Sequence, residues 1–273
     1  MVEYQQKDRY NINDLCDIVR LLRGEGGCPW DIVQTHESIR SDFIEEVYEV
    51  IEAIDNKDSV LLREELGDVL ENVVFHARIE EEAGNFCFDD VCDEVCKKLI
   101  VRHPHVFGDV KADSVGEVLN NWDAIKMETK GQETYTDTLK SVAKSLPALM
   151  MAQKVGKRAA KAGMDFRTPQ DAVACIAAEK AELDEAAASG DSGRIHEELG
   201  DLLFSCVNAA RHLGVDAEQA LKDSTEKFIK RFGITEQLTR DDGIDMKSQP
   251  IEKLDIYWDK AKQIIDSEEN KND

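Results

Sequence analysis

The sequence predicts an all-α chain built from two tandem helical-bundle modules, and three observations predict it. The run Glu-Glu-Leu-Gly-Asp stands at residues 64–68 and again at 197–201, 133 residues apart. Apolar residues recur at helical spacing, while no alternating strand pattern of useful length lies between residues 43 and 101. The composition is dominated by Leu, Ala, Glu, Asp and Lys with only five prolines in 273 residues, which favours helix.

Each element follows from that pattern. Phe43, Val47, Val50, Ile51 and Ile54 share one face of a first amphipathic helix, and Leu62, Leu66, Val69, Leu70 and Val73 share one face of a second. The short turn-like segment at 55–59 makes them antiparallel neighbours, and residues 189–193 read as the matching turn of the second copy. Downstream, each copy carries a Lys and an Arg one helical turn apart: Lys98 with Arg102, and Lys227 with Arg231. Further on each has a Trp and a Lys four apart, Trp122 with Lys126 and Trp258 with Lys262. Pro104 ends a helix, so His103 and His105 mark a turn rather than a ligand pair. The polar stretch at 131–138 sets the boundaries: an N-terminal module at 1–130, a linker at 131–140 and a C-terminal module at 141–273.

Charge and cysteine usage exclude several classes of partner. A formal net charge of −23 repels a nucleic-acid backbone or an anionic membrane, both of which are held by clustered Lys and Arg. No stretch approaches the roughly 20 apolar residues of a membrane span, and the first 13 residues lack the apolar core of a signal peptide. Seven cysteines with no CxxC pair read as reduced thiols. A cytoplasmic protein is expected.

The chemistry lies in the carboxylates. At about 100° per residue, Glu46 and Glu49 flank one side of their apolar stripe, and Glu65 and Asp68 flank the same hand of theirs. Packed antiparallel, the two helices bring all four acids to one edge. The second-copy acids are taken as Glu182 and Glu185 with Glu198 and Asp201. Two carboxylates 4 Å apart repel by about 4 kcal/mol at an effective dielectric near 20, so such a group calls for cations or raised pKa values. Oxygen-only ligands suit magnesium, with manganese as the alternative, and magnesium commonly shares its shell with substrate phosphates. A single acidic pair is ordinarily a solvated face; recurrence of both pairs in both copies weighs against that here. Gly67 and Gly200 each sacrifice about 1 kcal/mol of helix propensity, which predicts a close helix approach beside the acids. A di-iron bundle is excluded, because none of the six histidines has a Glu three residues before it. Lys227 and Arg231 could hold phosphate oxygens, and Trp258 with Lys262 offers a flat face and a further cation.

These residues resemble the MazG family of all-helical nucleotide pyrophosphohydrolases, whose mark is EExxE followed by ExxD on neighbouring helices. Glu45, Glu46 and Glu49 followed by Glu65 and Asp68 fit it fully, as do Cys28-Pro29-Trp30-Asp31 with Gln34-Thr35-His36, and Arg102-His103-Pro104-His105-Val106-Phe107. The second copy matches through Leu146-Pro147-Ala148-Leu149-Met150, Gly163-Met164-Asp165-Phe166, the run from Glu197 to Phe204, and Glu226-Lys227-Phe228. The resemblance implies magnesium-dependent hydrolysis of a nucleoside triphosphate to monophosphate and pyrophosphate, in a homodimer with broad base tolerance. Carried over, the metal ligands are Glu182, Glu185, Glu198 and Asp201, and the nucleotide contacts are Arg194, Glu197, Lys227, Arg231, Trp258 and Lys262. The C-terminal copy is the one expected to be active. It departs from the pattern at Ala181, where the first Glu of EExxE is expected, and at Ala178, where a Lys is expected; Glu179, about 200° around the helix, does not replace position 181. The N-terminal copy, with Glu45, Glu46, Glu49, Glu65, Asp68, Lys98, Arg102, Trp122 and Lys126, is the reserve site. The expected mechanism is metal-assisted attack of water on a triphosphate, with a nearby carboxylate accepting the proton. A base-selective dUTP or dCTP pyrophosphatase, or a regulatory nucleotide- and metal-binding module without catalysis, are the alternatives.

Overall fold

The structure, a computed structural model, describes residues 4–111, 114, 116–118, 121, 122, 125, 127 and 131–272, with side chains at the C-terminal end as far as residue 267. Its regular elements are helices, and no strand occurs among the described residues. No helix among them is long and apolar enough to cross a membrane. The chain divides into two compact units, residues 1–126 and 127–273.

The first unit contains α1 (Ile12–Arg23), α2 (Pro29–Ile32), α3 (Arg40–Asp55), α4 (Ser59–Ala83), α5 (Phe88–Arg102) and α6 (Pro104–Phe107). Asn11 starts α1 by accepting from the backbone N–H groups of Asn13 and Asp14, and Asp14 returns a bond to the Asn11 N–H. Val19, Ile39, Val74 and Phe75 form the core, with Leu15, Cys16, Ile79 and Phe88 around them, so α1 and α5 pack on the C-terminal half of α4. Each such side chain contributes about 1.5–3 kcal/mol when fully buried. Arg23 lies 5.0 Å from the Phe75 ring centre, pairs with Glu82, and donates to the carbonyls of Asp31 and Gln34, which ties the α2 region to α4. α3 and the N-terminal half of α4 form the expected antiparallel hairpin, but their apolar stripe is only half covered. Ala53 is buried on α3, whereas Val47, Ile54, Leu66 and Leu70 are exposed.

The second unit contains α7 (Tyr135–Lys140), α8 (Ala148–Lys161), α9 (Pro169–Ser189), α10 (Ser192–His212), α11 (Ala217–Asp241), a 3-10 turn (Met246–Ser248) and α12 (Ile251–Asn272). α9 pairs with α10 and α11 with α12 as two hairpins, and α8 packs against α10 and α11. Small buried side chains, among them Ala172, Ala186, Ala209 and Ala261, let these helices approach closely. Asp165 locks the segment before α9 to the end of α10. It accepts two bonds from the Arg211 guanidinium, at 3.0 and 2.5 Å, and one contact of 2.7 Å from His212. Those donors hold its carboxyl well below the usual carboxylate range.

The expected linker at 131–140 is not a plain connection, because residues 135–140 are helix α7. A capping box of Thr134 with Asp137 starts it, and the Arg158 guanidinium of α8 bonds the Thr138 carbonyl and the Ser141 hydroxyl, fastening it to the second unit. Thr-x-x-Asp is a helix-start signal that a polarity count overlooks.

Both carboxylate-bearing hairpins turn at equivalent positions, with Asp58 and Asp191 capping the second helix in each. The preceding residue is left-handed in both: Lys57 at φ 55° and Gly190 at φ 70°. A β-carbon is costly in this region, so Gly190→Ala should lower the stability of the second unit by about 1 kcal/mol. Urea unfolding monitored by circular dichroism checks this, and an unchanged midpoint would contradict it.

Candidate functional site

On the first hairpin, Glu46 and Glu49 of α3 meet Glu65 of α4, each offering one carboxylate oxygen within 4.8 Å of the others. Glu65 is 7 % exposed. Burial, a hydrogen bond to Glu49 and the negative charges of Glu49, Asp68 and Glu46 push its pKa up to about 7. Glu46 is raised as well, first by burial and then by Asp68, Glu49, Glu45 and Asp42. The antiparallel seam thus gathers these acids as the helical geometry predicts, and Asp68 stands close enough to act on two of them.

On the second hairpin the gathered set is Glu179, Glu182 and Glu198, again with one oxygen each within 4.8 Å. Glu198 is raised by partial burial and then by Glu182, Glu197 and Asp201, while Arg194 pulls it down. Here the structure departs from the sequence reading. Glu185 stands outside the group, and Glu179, which the sequence reading set aside, stands inside it. The hairpins have equal turns, so the offset of 133 that relates the two Glu-Glu-Leu-Gly-Asp runs holds back along the first helix. It relates Glu46 to Glu179, Glu49 to Glu182 and Glu52 to Glu185. The paired caps Asp58 and Asp191 were the signal that could have fixed the register. By the same offset the position without an acid is Ala178, opposite Glu45.

The close approach expected at Gly67 and Gly200 is also absent, since a β-carbon at either would meet nothing within 4 Å. Both glycines lie on helix surface that the chain leaves open, beside the exposed Leu66 and Leu199.

The basic and aromatic candidates lie on other helices. Lys227 and Arg231 belong to α11, and Trp258 and Lys262 to α12. Phe228 and Trp258 pack with ring centres 5.0 Å apart, and Phe228 is followed by Phe232 at 6.3 Å. The Nε of Arg231 is buried without a hydrogen-bond partner. Lys227 is exposed, and Lys262 pairs with Asp259 at 2.9 Å. Arg194 and Glu197, both exposed, sit on α10 near Glu198. In the first unit Lys98 is exposed on α5, and the Arg102 guanidinium lies 5.5 Å from the Trp122 ring centre, with His103 edge-on to that ring at 4.9 Å. Lys126 lies outside the described residues.

Fold and site define the class: an all-helical protein carrying one cluster of carboxylates at the seam of each repeated hairpin. The sequence profile of the MazG nucleotide pyrophosphohydrolase domain matches residues 34–107 and 167–232, which enclose both groups. A nucleoside triphosphate pyrophosphohydrolase/pyrophosphatase MazG of Thermotoga maritima is 45 % identical over 91 % of this chain and 94 % of its own. A nucleoside triphosphate pyrophosphohydrolase of Escherichia coli K12 is 42 % identical over 92 % of this chain and 97 % of its own. The chain belongs to the MazG nucleotide pyrophosphohydrolase family.

The raised pKa of Glu65 has a measurable consequence. Between the ordinary value of 4.5 and the folded value of about 7, this carboxyl is protonated when folded and ionised when unfolded. The metal-free protein should therefore lose stability as pH climbs through that window. With a chelator present, the melting temperature of the wild type should fall from pH 4.5 to 8 relative to that of Glu65→Gln; parallel curves would contradict the assignment.

Proposed function

We propose that this chain hydrolyses nucleoside triphosphates to monophosphates and pyrophosphate, requires magnesium or manganese, and discriminates little among bases. The observation that carries the proposal is the convergence of three carboxylates on each of two repeated hairpins, in a chain of this family. The donor set fits a hard divalent cation: it is all oxygen, and burial together with the charge of the neighbouring acids raises the pKa values of Glu46, Glu65 and Glu198. In the second unit Glu179, Glu182 and Glu198 would hold the ion, with Asp201 beside them. When bound, it supplies charge neutralisation for the phosphates and a more acidic water.

The chain's own side chains carry the remaining roles. A carboxylate of the group accepts the proton of the attacking water. Lys227 and Arg231 neutralise phosphate oxygens. Arg194 and Glu197 flank the group, and Lys262 adds a cation near Trp258. Trp258 offers a ring face, and stacking is tolerant of base identity because every base has a π-face. This supports a broad base range.

The reading includes a homodimer. Leu199, Leu203 and Phe204 of α10, with Ile229 and Phe232 of α11, form apolar surface that the unit leaves 41–63 % exposed, and a second copy would cover it. The seven free cysteines fit a reducing compartment such as the cytoplasm.

Pyrophosphate release measured across the common ribo- and deoxyribonucleoside triphosphates tests the proposal. Activity should span several bases, vanish with chelator and run with a dimer in sedimentation. Glu198→Ala and Asp201→Ala should each lose roughly a hundredfold or more. Glu65→Ala and Asp68→Ala should stay within a few-fold if the second unit works alone. Turnover of one nucleotide only would replace the broad reading with a base-selective one. Undiminished activity without metal, or none at all, would overturn the proposal.

A further inference from the structure

A second cluster of ligating side chains lies in the first unit, away from the carboxylates. His36 precedes α3 in a turn closed by Thr35 and Ser38, while His76 and Glu80 stand four residues apart on α4. The Nε2 of His36 is 2.7 Å from a Glu80 oxygen, and its Nδ1 is 2.7 Å from the Nδ1 of His76. The two ring planes differ by 10°, with centres 5.0 Å apart. With nitrogens so close, that spacing makes the imidazoles edge to edge and nearly coplanar, their Nδ1 atoms aimed at each other.

The hydrogen positions follow from the acid. Glu80 is held ionised by the Asn85 amide and by His36, so it accepts, and the Nε2 of His36 carries a proton. The Nδ1 of His36 is then the ring nitrogen that faces His76. This is how a carboxylate orients a metal-bound histidine from behind. Burial, and then His36, hold the His76 pKa below the usual histidine value, which keeps its ring neutral. Phe43, Val73, Ala77, Phe86 and Val91 join the cluster around a cavity of about 470 Å³.

The cluster is foreign to the repeat. At the offset of 133 the three positions are Pro169, Ala209 and Leu213 in the second unit, whereas the acids recur. His76 also lies two turns beyond Asp68 on α4, about 12 Å along the axis.

We propose that His36 and His76 form a binding site for a zinc-type transition-metal ion, with Glu80 fixing His36 and water completing the shell. Imidazole nitrogens select zinc, cobalt, nickel or copper and leave magnesium to the carboxylates. Two nitrogens at about 2.0–2.1 Å from a tetrahedral ion stand about 3.3 Å apart with their lone pairs converging on it, so the rings need to part by about half an ångström and each to swing about 35° out of the line that now joins them. His36 lies on a turn rather than within a helix, so it is the ring placed to make that move while its Nε2 stays with Glu80. Binding through both Nδ1 atoms leaves the ring protons on Nε2, at His36 toward Glu80 and at His76 by a shift of its proton from Nδ1.

Zinc binding to the full chain, measured by competition with a chromophoric chelator under excess magnesium to fill the carboxylate groups, tests this. Wild type should bind one ion that His36→Gln and His76→Gln each weaken by roughly a hundredfold or more, while Glu80→Gln weakens it about 10- to 100-fold. The absorption of cobalt-loaded wild type, which needs no variant to fold, should show tetrahedral nitrogen ligation. Equal zinc affinity in wild type and both histidine variants, or a cobalt spectrum of six oxygens only, would overturn the site and leave a hydrogen-bonded histidine pair.

Discussion

Carboxylates forced together without a counter-charge raise the free energy of the fold that gathers them, and much of this structure is arranged around that conflict. An antiparallel hairpin of two amphipathic helices necessarily sets residues on matching flanks beside one another. When those residues are Glu46, Glu49 and Glu65, burial, the hydrogen bond to Glu49 and the negative charges of the group hold a proton on Glu65 up to about pH 7. The hairpin tolerates this because its stability is anchored elsewhere. Val19, Ile39, Val74 and Phe75 pack α1 against the far half of α4, well along the helix from the acids. In the second unit the lock of Asp165 with Arg211 and His212 holds the far end of α10 in the same way.

Much of this was legible in the residues alone. Helical periodicity, the duplicated acidic run and the turn residues fix the fold class and the first hairpin, because these are local properties of an amphipathic helix. The acids of the first unit follow from helical geometry. What failed was register in the second unit: Glu179, Glu182 and Glu185 are all acids at three-residue spacing, so a motif match can slide by one turn without penalty. The equal hairpin turns, visible in Asp58 and Asp191, remove that freedom. Gly67 and Gly200 misled for a different reason, since helix propensity records a cost without saying which neighbour it serves. The pairing of His36 with His76 joins residues 40 apart, and no periodicity encodes a contact between a turn and a helix.

The two copies have kept the acids and diverged around them. The first retains Glu45, buries Glu65 more deeply and uses Arg102 against the face of Trp122. The second has Ala178 in place of the outer acid, leaves Glu198 less buried beside Arg194, and backs Trp258 with Phe228. A base approaching the Trp122 ring competes with a guanidinium already lying 5.5 Å from the ring centre. That difference favours the second unit as the seat of turnover, and it leaves the first free to hold a distinct ligand of its own.

Hairpin register, set by equal turns, determines which acids act together in the second unit. Glu179→Gln and Glu185→Gln each remove one acid, on either side of Glu182 on the same helix, so their comparison isolates position. Manganese binding followed by electron paramagnetic resonance, together with turnover, should show Glu179→Gln weakened by roughly a hundredfold, the scale of removing a group that meets developing charge directly. Glu185→Gln should remain within a few-fold of wild type. A large loss in Glu185→Gln with Glu179→Gln unaffected would contradict this register and put Glu185 in place of Glu179.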